Sequence, residues 1–260
     1  AVVKNNCVFS IITINPAKYN ELYAKFNNLN KLLAWGHARA IENILEKNEN
    51  FSNKTIISAV EAAKTSKNYN PETTELAFFG GSFTAIDEEY RLELLSSAYK
   101  YVKNGTICGI RISTRPDAID EEILEILKNR GVTAIELGAQ SLVARVLKMN
   151  NRGHTAQDVV NASRLIKEHG FELGLQIMTG LYADSDEGAI KTAKKVIEIK
   201  PDTVRIYPTI VLENTHLSEL LKQNEYVSET LEETVSLCAE LLEMFYENKI
   251  KVIRLGLHSG

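Results

Sequence analysis

Short apolar runs alternate with amphipathic stretches along most of the chain. Residues 76–79 run into Gly80-Gly81, and further runs fall at 107–112, 132–137, 171–178, 203–207 and 250–255. An earlier one falls at 1–3 or 8–14. Each is too short for a helix and is closed by Gly, Pro or small polar residues, which predicts strands. Between them the apolar spacing becomes helical. Asp120-Glu121-Glu122 opens a stretch through Ile123, Leu124, Ile126 and Leu127 that stops at Gly131. Thr155 opens one through Val159, Val160, Leu165 and Ile166, closed by Gly170. Ser185 opens one through Ile190, Ala193, Val196 and Ile197, ended by Pro201, and Ser228 opens a long one through Leu231, Val235, Leu237, Leu241 and Phe245. Capping residues, acidic first turns and terminal glycines fit helix start and stop rules.

Strand and helix in alternation predict parallel strands joined by crossover helices. The fold class is α/β: a partial or complete (β/α) TIM-type barrel of parallel strands with outer helices. A doubly wound open sheet is the alternative. Residues 16–70, rich in Asn, Lys and Ala, show helical spacing at Leu22, Phe26, Leu29, Leu32 and Leu33, read as two or three helices covering one end of the barrel. No linker divides the chain, so residues 1–260 are read as a single domain.

Composition changes this picture little. The 260 residues are 44% hydrophobic and 25% charged, which suits a globular chain. No apolar run reaches the roughly 18 residues of a membrane span. The net charge of −4 argues against a broad nucleic-acid-binding face. Three cysteines, Cys7, Cys108 and Cys238, are too few for a disulfide framework and point to a reducing cytoplasm. No signal peptide is visible.

In a barrel, function gathers at the C-terminal ends of strands. After the first run comes Gly80-Gly81-Ser82, where backbone can approach a ligand closely, or simply turn. Ser113-Thr114-Arg115-Pro116-Asp117 follows the second; Arg115 can pair with an anion or stay solvated while Asp117 or Asp120 caps the next helix. Glu136, Gln140 and Ser141 form a polar set at the third, with Ser141 equally an N-cap. His154, beside Gly153, is an acid–base candidate or, more commonly for such a residue, a surface loop histidine. Gln176 lies inside an apolar run and must find a partner or face a cavity. Arg205 and Tyr207 alternate on one strand and share a face. Together these predict a ligand pocket at a barrel mouth. No Walker, H-E-x-x-H, G-x-S-x-G or Rossmann motif is present.

The ordered series FFGGSFTAI (78–86), IRISTRPDAI (110–119), IELGAQSL (135–142), NRGHT (151–155), LQIMTGL (175–181) and VRIYPTIVLENTHLSEL (204–220) resembles the radical S-adenosylmethionine superfamily. Within it, the chain is most similar to the branch of the elongator catalytic subunit and its small bacterial relatives. The resemblance implies a partial or full (β/α) barrel, a 4Fe–4S cluster, and S-adenosylmethionine cleaved reductively to a radical that abstracts hydrogen from substrate. It places Gly80, Gly81 and Ser82 at the amino group of S-adenosylmethionine. Ser113, Gln140, Arg152 and Gln176 fall where relatives contact its ribose and carboxylate. The elongator relatives act on transfer RNA, which makes RNA a weakly supported partner.

One departure stands out. The family's cluster is held by C-x3-C-x2-C, and here only the middle position, Cys7, is a cysteine; Val3 and Ser10 hold the others. The family's Gly-Leu-Pro-Gly turn reads Gly180-Leu181-Tyr182-Ala183. Three readings follow: a radical enzyme whose natural cluster segment differs from this one, a cluster-less barrel that binds S-adenosylmethionine without radical chemistry, or a paralogue with a partner-binding or RNA-binding role.

Overall fold

The computed structural model describes residues 51–256. The run at 1–3 or 8–14, Cys7, and the part of 16–70 before residue 51 lie outside the described residues. Elements follow in the order α1 (Phe51–Lys64), β1 (Glu75–Phe78), α2 (Glu88–Lys103), β2 (Gly109–Thr114), α3 (Glu121–Asn129), β3 (Val132–Gln140), α4 (Ala144–Met149) and α5 (Ala156–Glu168). Then come β4 (Glu172–Thr179), α6 (Asp186–Ile199), β5 (Thr203–Pro208), α7 (His216–Lys222), α8 (Leu231–Glu247) and β6 (Lys251–Leu255).

The six strands lie in the sheet in sequence order, β1-β2-β3-β4-β5-β6. Sequential parallel order excludes the doubly wound alternative, in which the order reverses at a switch point. A complete barrel needs eight strands; six occur among the described residues, so the topology is that of a partial (β/α) barrel. Contacts divide the described chain into two compact units. One comprises residues 51–114 and 121–134, the other 115–120 and 135–256.

Each strand forms for a local reason. In β2, Ile110 and Ile112 are fully buried. In the second unit, Ile135, Leu137 and Ala139 of β3, Leu173, Leu175 and Ile177 of β4, and Val204 and Ile206 of β5 fill one face of the sheet. The period of two puts their neighbours on the other face. That face carries Glu136, Gln140, Gln176, Met178, Arg205 and Tyr207, all half-buried except the fully buried Glu136. Helices bury one stripe each, such as Leu124 and Leu127 of α3, Val159 and Ile166 of α5, and Leu241 and Phe245 of α8.

Caps set the helix starts. Thr155 accepts from the Asp158 amide in a full capping box, and Ser185 accepts from the Gly188 amide. The long helix begins later than Ser228. Its N-cap is Thr230, because Glu233 stands three residues on and completes a capping box there. Ser141 is not an N-cap either: α4 starts after Val143. Among the described residues, no helix is long and apolar enough to cross a membrane.

Candidate functional site

In the first unit, the turn after β1 is held by three hydroxyls. Thr114, at the end of β2 and 2% exposed, is the hub. Its Oγ1 lies 2.9 Å from Ser82 Oγ and 2.5 Å from Thr84 Oγ1, and the Thr84 amide donates to it at 3.3 Å. Arg91 Nη1 donates to the Thr84 carbonyl at 2.9 Å. These bonds tie Ser82 to β2 while Gly80, at φ 118°, keeps open space where a side chain would stand. The loop thus offers exposed backbone at Gly80 and Gly81 on an anchored base. Ser113 is half-buried on β2, next to Thr114.

In the second unit, Gln140 ends β3, Gln176 lies inside β4, and Arg152 touches Met178 near the end of β4. Gln140 closes β3 with φ 63°, a left-handed conformation that costs a non-glycine residue about 1–3 kcal/mol and recurs at functional sites. The segment carrying Arg152 is pinned to the same strand end. His154 is 6% exposed, and its Nε2 lies 3.1 Å from the Ala139 carbonyl. A carbonyl only accepts, so Nε2 carries the proton. Burial pushes the imidazole below its ordinary value, against the opposing pull of the Ala139 carbonyl and the Asp117 charge. His154 is therefore a neutral bracket rather than the surface loop residue expected.

Arg152 is the anomaly of this unit. Among the described residues, its Nε is buried without a hydrogen-bond partner, and its Nη2 lies 3.9 Å from the Met178 sulfur. Burial lowers its pKa, with no acidic neighbour among the described residues working against it. A desolvated guanidinium without a counter-charge is costly unless a ligand completes it. Arg115, by contrast, is already satisfied: it makes a bidentate pair with Asp117, through Nε at 2.9 Å and through Nη2. It is neither an open anion site nor solvated alone.

Across β3, β4 and β5 runs a second polar arrangement. Glu136 is 1% exposed. Arg205 donates to it from Nε at 2.7 Å and from Nη2 at 3.0 Å, and Gln176 Nε2 donates at 2.9 Å. Burial lowers the Arg205 pKa, but hydrogen bonds to Glu136 and Tyr207 and their charges raise it overall. Gly174 makes the arrangement possible, since a Cβ there would stand 2.7 Å from Glu136 Cγ. Gln176 has thus found its partner, as its place in an apolar run required. The Glu136–Arg205 pairing was missed in the sequence.

The described residues contain no group of three His, Cys, Asp or Glu that could hold a metal ion. Cys108 donates to the Thr74 carbonyl at 3.3 Å, and burial and the Glu75 charge raise its pKa. Cys238 is buried on α8, and burial and Glu229 raise its pKa also. Neither belongs to a group of metal-ligating side chains among the described residues, whereas an iron–sulfur cluster takes several thiolates. The donor set among the described residues does not fit a 4Fe–4S cluster.

Comparison with known proteins gives the chain a lineage. Among curated proteins, the tRNA uridine(34) acetyltransferase of Methanocaldococcus jannaschii is 31% identical over 183 residues, covering 63% of this chain and 34% of that protein. Elongator complex protein 3 of Homo sapiens is 31% identical over 196 residues, covering 68% of this chain and 36% of that protein. The chain spans about a third of the length of the curated relatives it matches. Among solved structures, archaeal Methanocaldococcus infernus Elp3 with an N-terminal deletion superposes with a TM-score of 0.64 at 24% identity, over 81% of this chain and 57% of that one. Coproporphyrinogen III oxidase from Escherichia coli, a radical SAM enzyme, gives 0.56 at 16% identity, over 80% and 46%. At these identities the structural likeness speaks to the fold alone. The radical SAM C-terminal domain model matches residues 201–259. The radical SAM superfamily model matches residues 33–196, well over half of the chain, and the chain belongs to that superfamily.

Proposed function

We propose that this chain binds S-adenosylmethionine at its strand ends and, with the residues it carries, does not cleave the cofactor reductively. The observation that carries the reading is Arg152: a partly buried guanidinium whose buried Nε has no partner among the described residues. A carboxylate supplies the two things it lacks, charge and acceptors. Gln140, at the end of β3, and Gln176, inside β4, are the residues assigned to the sugar by the family resemblance. Taken by itself, the Gly80-Gly81-Ser82 turn of the first unit exposes backbone groups on an anchored base. Held at Arg152 by its carboxylate, S-adenosylmethionine would bring a sulfonium whose cleavage needs an electron donor. The family's donor is the cluster, and the chain has one cysteine, Cys7, at the three positions that hold it.

Calorimetric titration separates the parts of this reading. Wild-type protein is expected to bind S-adenosylhomocysteine, and Arg152→Met to lose most of that affinity. 5′-Methylthioadenosine, which lacks the amino-acid arm, should bind both proteins alike. Equal loss for both ligands would remove the carboxylate role, and no binding of either would remove the reading.

A second reading rests on the names of the relatives, which make transfer RNA the candidate substrate. The net charge of −4 sets a condition on it: binding must come from a local basic patch and weaken steeply with salt. Filter retention of transfer RNA that does not change between low and high salt would reject it.

A further inference from the structure

We propose that the exposed side of α8 docks an amphipathic helix of a separate polypeptide, one whose apolar stripe is flanked by lysine or arginine. This surface is independent of the cofactor reading. Helix geometry divides α8 into three faces. Leu237, Cys238, Leu241 and Phe245 form the buried face of the helix, which packs against α6 and β6. Leu231, Val235, Leu242 and Tyr246 stand at i, i+4, i+11 and i+15, and at about 100° per residue they fall within an arc of about 60° beside the buried face. These four are 43–82% exposed. Exposed apolar side chains scattered singly need no explanation, but a continuous stripe along one helix marks an interaction site. The third face borders the stripe on its far side and carries Glu232, Glu240, Glu243 and Glu247, all exposed.

Charge decides the occupant. The sequence of α8 holds five glutamates and no lysine, arginine or histidine. Glu243 and Glu247 repel each other at i, i+4, and Glu247 stands in the last turn, where the helix macrodipole disfavours negative charge and no basic residue offsets it. Such a row costs the helix stability by itself, and a cationic neighbour relieves it. A second copy of the chain supplies the wrong charge. Antiparallel pairing of two such stripes about a two-fold axis sets each acidic row against its equivalent. Parallel pairing sets the row against the side on which the partner's α6 and β6 pack. The stripe is also too small for a stable dimer: about 22 Å long and one helix wide, it falls far below the roughly 800 Å² per partner of a standard interface. An anionic membrane surface is repelled by the same glutamates. A single helix with basic flanks fits both features, its apolar side on Leu231 to Tyr246 and its cations on the acidic row.

Fluorescence anisotropy with the whole chain tests this. The probe is a labelled helical peptide of about five turns, with a leucine stripe flanked by lysines. Wild type is expected to bind it saturably, and to bind the same peptide with glutamate for lysine at least about tenfold more weakly. Val235→Ser with Leu242→Ser keeps every charge and alters only exposed side chains, so urea midpoints should stay at wild type while affinity for the peptide falls about tenfold or more. Glu232→Gln with Glu243→Gln and Glu247→Gln keeps the stripe; affinity should fall about tenfold at low salt, the salt dependence of binding should largely vanish, and the urea midpoint should equal or exceed that of wild type. Absence of saturable binding, or equal affinity in wild type and both variants, overturns the proposal. So does a wild-type dimer in sedimentation that Val235→Ser with Leu242→Ser abolishes, since a second copy would then cover the face. Flotation of wild type with phosphatidylcholine vesicles, lost in the same variant, would assign the face to a membrane and overturn it equally.

Discussion

Replacing Arg152 by methionine separates two quantities that a structural arginine would link. In the ligand-free protein, the buried Nε has no partner and the guanidinium no counter-charge among the described residues. Leaving such a group buried costs about 1–3 kcal/mol. The guanidinium reaches Met178 through Nη2, and methionine keeps an unbranched apolar stem of similar length at this position. The two terms nearly offset, so ligand-free Arg152→Met should be as stable as wild type, or up to about 1 kcal/mol more stable. Binding reverses the balance. Charge-assisted hydrogen bonds to a carboxylate contribute about 1.5–3 kcal/mol, a loss of about 10- to 150-fold in affinity for S-adenosylhomocysteine. Urea midpoints without ligand and calorimetry with it measure both. Destabilisation of the free protein by more than about 2 kcal/mol would mean that Arg152 has a structural partner, and the reasoning would fail.

Three further outcomes follow from the same geometry. His154, with its folded pKa held below the ordinary 6.5, binds fewer protons folded than unfolded, so stability should fall as the pH drops below about 6.5; His154→Gln, which keeps a donor for the Ala139 carbonyl, should flatten that part of a pH series of urea midpoints. Thr114→Val removes the hydroxyl shared by Ser82 and Thr84 and should cost about 1–3 kcal/mol in urea denaturation, with faster exchange of the Thr84 amide, its donor. Gln140→Gly relieves the left-handed strain at φ 63°, so thermal unfolding should show stability kept or raised by up to about 1 kcal/mol, while S-adenosylhomocysteine affinity falls about fivefold.

The strands were legible because their signal is local. The predicted runs at 132–137 and 203–207 match Val132–Gln140 and Thr203–Pro208. The ends were less so: β3 continues through Gly138, Ala139 and Gln140, residues of low strand propensity that the sheet carries along. Glu88–Lys103 went unread because its apolar stripe is interrupted by Arg91, which is buried through its bond to the Thr84 carbonyl. Arg152 was assigned from its motif, and its lack of a counter-charge needed coordinates. The Glu136–Arg205 pair was invisible because its members lie 69 residues apart and meet only through the sheet. His154 was misplaced for the same reason: its partner is a backbone carbonyl 15 residues away, and a carbonyl has no sequence signature. The cap at Thr230, however, could have been found, since Thr230 and Glu233 form the capping-box spacing.

The central claim, that S-adenosylmethionine is held but left whole, is tested most directly by anaerobic iron–sulfur reconstitution, addition of S-adenosylmethionine and a strong reductant, and chromatographic quantification of the nucleosides. The account predicts S-adenosylmethionine recovered intact from the protein, with no 5′-deoxyadenosine above a protein-free control. Accumulation of 5′-deoxyadenosine in proportion to protein would contradict it.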